Sequence, residues 1–93
     1  MNKIEKERFE KHYQQLLKCL KLQGKAEKTI DAYSRAVPRV VAHFDCLPED
    51  LTVDNLKDYF AALVDSHSWS TVKIDRLGLQ FYWRHILNKD WQW

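Results

Sequence analysis

The sequence predicts an all-α domain, a compact bundle of four or five short helices, and three observations carry that expectation. Apolar residues recur at three- and four-residue spacing through four successive segments. No run alternates apolar and polar residues long enough to make a strand. With 93 residues, 45% of them apolar, and four each of Trp, Tyr and Phe, the chain can bury one core but not two.

The first helix is expected over about residues 4–22, where Phe9, Tyr13, Leu16, Leu17 and Leu20 repeat at helical spacing. Gly24 stops it, because glycine tolerates the positive φ of a helix C-terminus. A second helix follows over about 26–44. On its wheel Ile30, Tyr33, Val37, Val40, Val41 and Phe44 fall in one arc about 100° wide, the width of a core-facing stripe. Lys28, Arg35 and Arg39 lie opposite, with the small Ala32 between them. Pro38 removes a backbone donor and presses on the carbonyl of Ser34, so a kink or break is expected there.

Residues 45–51, with Pro48, form a connector. The third helix begins after Thr52, whose hydroxyl can accept from the backbone NH of Asn55, and Asp54 suits the positive end of the helix dipole. Leu56, Tyr59, Phe60, Leu63 and Val64 are its apolar residues. The fourth helix is capped by Ser68 or Ser70 and runs to about residue 87 or 88. It carries two apolar arcs: Ile74, Leu77 and Phe81 on one side, and Val72, Leu79, Tyr82, Trp83, Ile86 and Leu87 on the other. Such a helix is either central or meets another domain with its outer face. Lys73, Gln80 and Arg84 make a polar stripe between the arcs. The tail ends on an exposed-looking pair, Trp91 and Trp93, which suits truncation from a longer protein.

A net charge of +2 conceals an asymmetry. Residues 1–25 hold seven Lys or Arg against three Glu, whereas residues 45–66 hold one against six acids. One side of the domain therefore suits a polyanion, and another water or a cationic protein. No window reads as a signal peptide or a membrane span, so a cytoplasmic protein without a membrane partner is expected. Cys19 and Cys46 are widely spaced thiols, expected to be reduced and inert. His12, His43, His67 and His85 show no ligand spacing, so no metal is expected.

Catalysis needs a constellation, and none can be assembled: no Gly-rich phosphate loop, no nucleophile with a base, no metal set, hence no cofactor. Ser66, His67 and Ser68 lack a positioned acid and read as a helix cap and linker. Binding is the better class. Lys25, Lys28, Thr29, Arg35 and Arg39 on the second helix, with Ser70, Thr71, Lys73 and Arg76 at the start of the fourth, are the groups that phosphates require. Long cations neutralise charge, hydroxyls and helix-start amides orient anionic oxygens, and an Arg or Lys can reach a guanine edge. About 4–6 phosphate contacts would follow, with a steep dependence on salt.

The run Gln23-Gly24-Lys25-Ala26-Glu27-Lys28-Thr29-Ile30-Asp31-Ala32-Tyr33, then Leu51-Thr52, the Leu56-Lys57-Asp58-Tyr59-Phe60 helix, and Ser70-Thr71-Val72 before Phe81-Tyr82-Trp83, resembles the N-terminal core-binding (SAM-like) domain of tyrosine recombinases and phage integrases. The resemblance covers roughly residues 10–90 and rests most on Thr29-Ile30-x-x-Tyr33 and the Ser/Thr start of the last helix. It implies that residues 1–93 are a single DNA-binding domain that clamps one face of a recombination site. Its second and fourth helices would lie against the major groove. It also implies a separate C-terminal domain holding the catalytic Arg, Lys, His-x-x-Arg and nucleophilic Tyr, none of which has a counterpart here; Tyr33, Tyr59 and Tyr82 do not match that Tyr. The implied partners are double-stranded DNA, the catalytic domain of the same parent chain, and neighbouring recombinase protomers. A second class is a helical protein-interaction domain using the acidic third helix and the outer face of the last, with Tyr82 and Trp83 as its contacts.

Overall fold

The computed structural model describes residues 1–91 and is all-α, with α1 at Lys3–Leu22, α2 at Glu27–Phe44, α3 at Val53–Ser66 and α4 at Trp69–His85. A single 3-10 turn, Pro48–Asp50, sits in the connector before α3. No strand occurs among the described residues, and no helix there is long and apolar enough to cross a membrane.

Side chains and turns close most helix ends. Asn2 and Glu5 form a reciprocal capping box on α1, with Glu5 N donating to Asn2 Oδ1 at 2.8 Å and Asn2 N to Glu5 Oε1 at 3.3 Å. Its far end turns at Gly24, φ +69°, where Gly24 N donates to Lys21 O and Lys25 N to Leu20 O, a Schellman motif. Thr52 caps α3, its Oγ1 accepting from Asn55 N at 3.1 Å, as expected, and Thr52 N donates to Asn55 Oδ1 at 3.0 Å. For α4 the cap is Ser68, which accepts from Thr71 N at 3.3 Å, and the helix ends at His85 rather than 87 or 88. The two residues beyond it, Ile86 and Leu87, are packed against the core instead.

The expected break at Pro38 does not occur, because α2 continues through it to Phe44. Two features offset the lost backbone donor. Ala36, Val37, Val40 and Val41 on either side of Pro38 are buried, which holds both halves of the helix on the core. The Ser34 carbonyl, which Pro38 deprives of its helical donor, accepts from Tyr13 Oη of α1 at 3.1 Å.

The core lies between α1, α2 and α4, with Leu16, Leu20, Val37, Val40, Leu79 and Tyr82 fully buried. Leu56, Tyr59, Phe60 and Leu63 of α3 close it from the other side. The most extensive helix pair is α2 with α4, and Gly78 lies in close contact with α2. A Cβ on Gly78 would lie 3.1 Å from Ala36 Cβ and 3.2 Å from Tyr33 Cα.

Helix α4 is therefore the central helix. Tyr82 and Trp83 belong to the core, which corrects their expected role as contacts for another protein. Phe81, on the arc it shares with Ile74 and Leu77, is also buried, against Tyr33 at 6.0 Å between ring centroids, leaving Ile74 and Leu77 each 41% exposed. Trp91 is not exposed as expected but half-buried, edge-on to Trp83 at 5.7 Å. Trp93 lies outside the described residues.

Candidate nucleic-acid interface

The α2–α4 crossing places a cleft of about 220 Å³ beside the first turns of α4. Arg35, Arg39, Asp31 and Ala32 of α2 line one wall, and Thr71, Ile74 and Asp75 of α4 the other. Arg35, Arg39 and Thr71, expected from sequence to meet phosphates, are thus brought together. Ala32 keeps the wall low between the arginines and their neighbours, where a longer side chain would fill the cleft.

The other expected contacts spread outward from this point. Lys28 is exposed one turn before Ala32 on the same stripe of α2, and Thr29 is half-buried beside it. Lys25 lies ahead of α2, which starts at Glu27. Ser70 is exposed in the first turn of α4. Lys73, two residues past Thr71, points about 200° round the helix from it and so away from the cleft. Arg76 lines a different groove of about 240 Å³ between α3 and α4, with Lys57, Phe60, Ala61, Val64, Trp69 and Val72.

Both cleft arginines are paired with carboxylates, in two different ways. Arg35 Nε lies 3.3 Å from Asp31 Oδ1 one turn earlier, and both side chains are mostly exposed. An exposed pair of this kind contributes under about 1 kcal/mol and exchanges readily for another anion. Arg39 Nη1 donates to Asp75 Oδ2, and here the Asp75 side chain is 5% exposed while that of Arg39 is 39% exposed. Burial pushes the Asp75 carboxyl above the usual carboxylate range, against the pull of Arg39.

Sequence reasoning did not single out Asp75 for this role, although a signal was present. On the α4 wheel Asp75 falls in the middle of the arc formed by Val72, Leu79, Tyr82 and Ile86. A carboxylate inside an apolar arc implies a buried partner across the interface.

The tyrosines set aside as nucleophiles occupy structural positions. Tyr59 and Tyr82 are buried core residues, and burial pushes the Tyr59 hydroxyl up to about 12. Ser66 Oγ lies 2.8 Å from His67 Nδ1, but it also donates to the Leu63 carbonyl at 3.3 Å, and Ser68 caps α4. These hydroxyls serve the ends of α3 and α4.

A family model described as phage integrase, N-terminal SAM-like domain, matches residues 12–93. The chain belongs to that family. All nine expected contact residues of this integrase-family domain, from Lys25 to Arg76, fall within the matched span, whereas the first two turns of α1 precede it. No curated protein and no solved structure matches the domain significantly.

Proposed function

We propose that this integrase-family domain is the DNA-binding module of a site-specific tyrosine recombinase from an integrase or mobile element. Residues 1–93 would be one domain of a longer cytoplasmic chain. A C-terminal catalytic domain would cut and rejoin DNA through a phosphotyrosine, while this domain clamps the other face of the recombination site. The observation that carries the reading is the α2–α4 cleft, where Arg35, Arg39 and Thr71 converge beside the start of a helix. Lys28 and Ser70 extend the surface along the two helices, giving a backbone-following row of cations and hydroxyls. Because Asp31 and Asp75 offset part of that charge, binding by the isolated domain would be modest and easily screened.

The deciding experiment is a residue-by-residue amide shift titration with duplex DNA at low and moderate salt. Salt-sensitive shifts gathered on residues 28–39 and 70–75 support the reading. Absent or evenly scattered shifts at low salt overturn it.

One observation favours a second, compatible reading as a protein-interaction surface. Trp69 is 69% exposed and Val64 43% exposed on the α3–α4 groove, away from the cleft. That groove, rather than Tyr82 and Trp83, is where the catalytic domain or a neighbouring protomer would dock. Loss of such association in Trp69→Ala, with DNA affinity unchanged, is the result this reading requires.

A further inference from the structure

Asp75 is the sole charged side chain in the buried set of described residues, and it sits on the wall of a surface expected to meet phosphates. A carboxylate there is unfavourable twice over. It costs desolvation, and it repels the ligand that the arginines would attract. Partnering Arg39 does not resolve the puzzle through stability, because buried ion pairs recover little more than the cost of dehydrating them.

The geometry accounts for it in another way. Arg39 Nη1 is held from the protein side by Asp75 Oδ2, and the other guanidinium donors make no hydrogen bond among the described residues. The helices carrying the pair are locked at close approach by Gly78, one turn from Asp75, against Ala36, one turn from Arg39. A planar guanidinium fastened through one nitrogen has its remaining donors fixed in direction, unlike that of Arg35, which rests on an exposed carboxylate on its own helix. We infer that Asp75 is a positioning residue, holding the guanidinium of Arg39 in the α2–α4 cleft so that its outward donors meet one DNA phosphate without reorganisation. The inference rests on the proposed DNA-binding reading. Ordering the side chain before binding removes an entropic cost otherwise paid on association.

The sign of one substitution tests it. Asp75→Asn removes a negative charge from a DNA-facing surface, and charge alone would strengthen binding. Positioning requires the opposite, a loss of roughly fivefold in affinity with the salt slope reduced by about 1. In an Arg39→Ala background the same substitution then costs nothing or strengthens binding. Tighter binding of Asp75→Asn in the native background overturns the inference. So does an equal loss in both backgrounds, which would mean a role in the fold alone.

Rotation about the Arg39 Nε–Cζ bond, followed by NMR in the free domain, separates this inference from the reading beneath it. Slow rotation in the native domain that becomes fast in Asp75→Asn shows the guanidinium to be held; rotation already as fast as that of Arg35 overturns the inference. If native Arg39 is held but no duplex binds at low salt, the DNA reading fails, and with it the phosphate as the object of the positioning.

Discussion

Tyr13 Oη donates to the carbonyl of Ser34 at 3.1 Å, filling the position from which Pro38 has removed the helical donor. A side chain of α1 thereby completes the backbone of α2 and ties the two helices at a point where local rules expect a break. Tyr13→Phe should destabilise the domain by about 1 kcal/mol, a typical net value for such a bond. In Pro38→Ala, residue 38 regains its NH and can donate to Ser34, so the same Tyr13 change should cost less. Urea unfolding of the four variants measures this coupling, and strictly additive effects would refute the compensation.

Gly78 faces α2 with room for a hydrogen but not a branched side chain, since even a Cβ would come within 3.2 Å of the Tyr33 backbone. Gly78→Val should cost about 1–3 kcal/mol by overpacking. For a domain of this size that lowers Tm by about 4–8 °C per kcal/mol. Gly78→Ala sets a milder clash against a gain in helix propensity of about 1 kcal/mol, so it should fall well short of the valine variant. Thermal melts that rank alanine below valine would show that the helices do not pack here as described.

Local signals in the sequence were enough to mark Thr52 as the α3 cap and Gly24 as the end of α1, because both depend on residues within one turn. A break at Pro38 is absent because what sustains the helix is Tyr13, twenty-five positions earlier, and the burial of Val37 and Val40. A similar gap separates the site residues. The wheel placed Arg35 and Arg39 on one stripe, but which face of α4 would meet that stripe depends on Gly78 and Asp75, and it admits Thr71 while turning Lys73 and Arg76 elsewhere. The two arcs of α4 carried the warning, since a central helix must divide its faces among several neighbours.

The raised pKa of Asp75 gives stability a definite pH dependence. Its folded-state value lies above the unfolded one of about 3.9, so the native state binds the proton more tightly. This carboxyl therefore supports folding most below the unfolded value, loses that support as pH rises through the folded value, and contributes a constant penalty above it. Asp75→Asn removes the penalty. The variant should be no less stable than the native domain at pH 7, and its relative stability should decline as pH falls to 4. Urea midpoints across that range check the sign, and a variant much less stable at pH 7 would show Arg39–Asp75 to be a net stabilising pair.

The placement of cations around α4 makes the DNA reading quantitative. Arg35 lines the cleft and is held only by an exposed partner on its own helix, so Arg35→Glu removes an available phosphate contact and leaves two acids side by side. Affinity for duplex DNA should fall uniformly across sequences, with the salt slope reduced by about 1. Lys73 is equally cationic but turned away from the cleft, so Lys73→Glu should weaken binding only through long-range charge, an effect that fades once the Debye length drops to about 8 Å at physiological salt. Comparing the two variants by fluorescence anisotropy at two salt concentrations separates contact from general charge. Equal losses at the higher salt would move the DNA face off the α2–α4 cleft and onto the outer surface of α4.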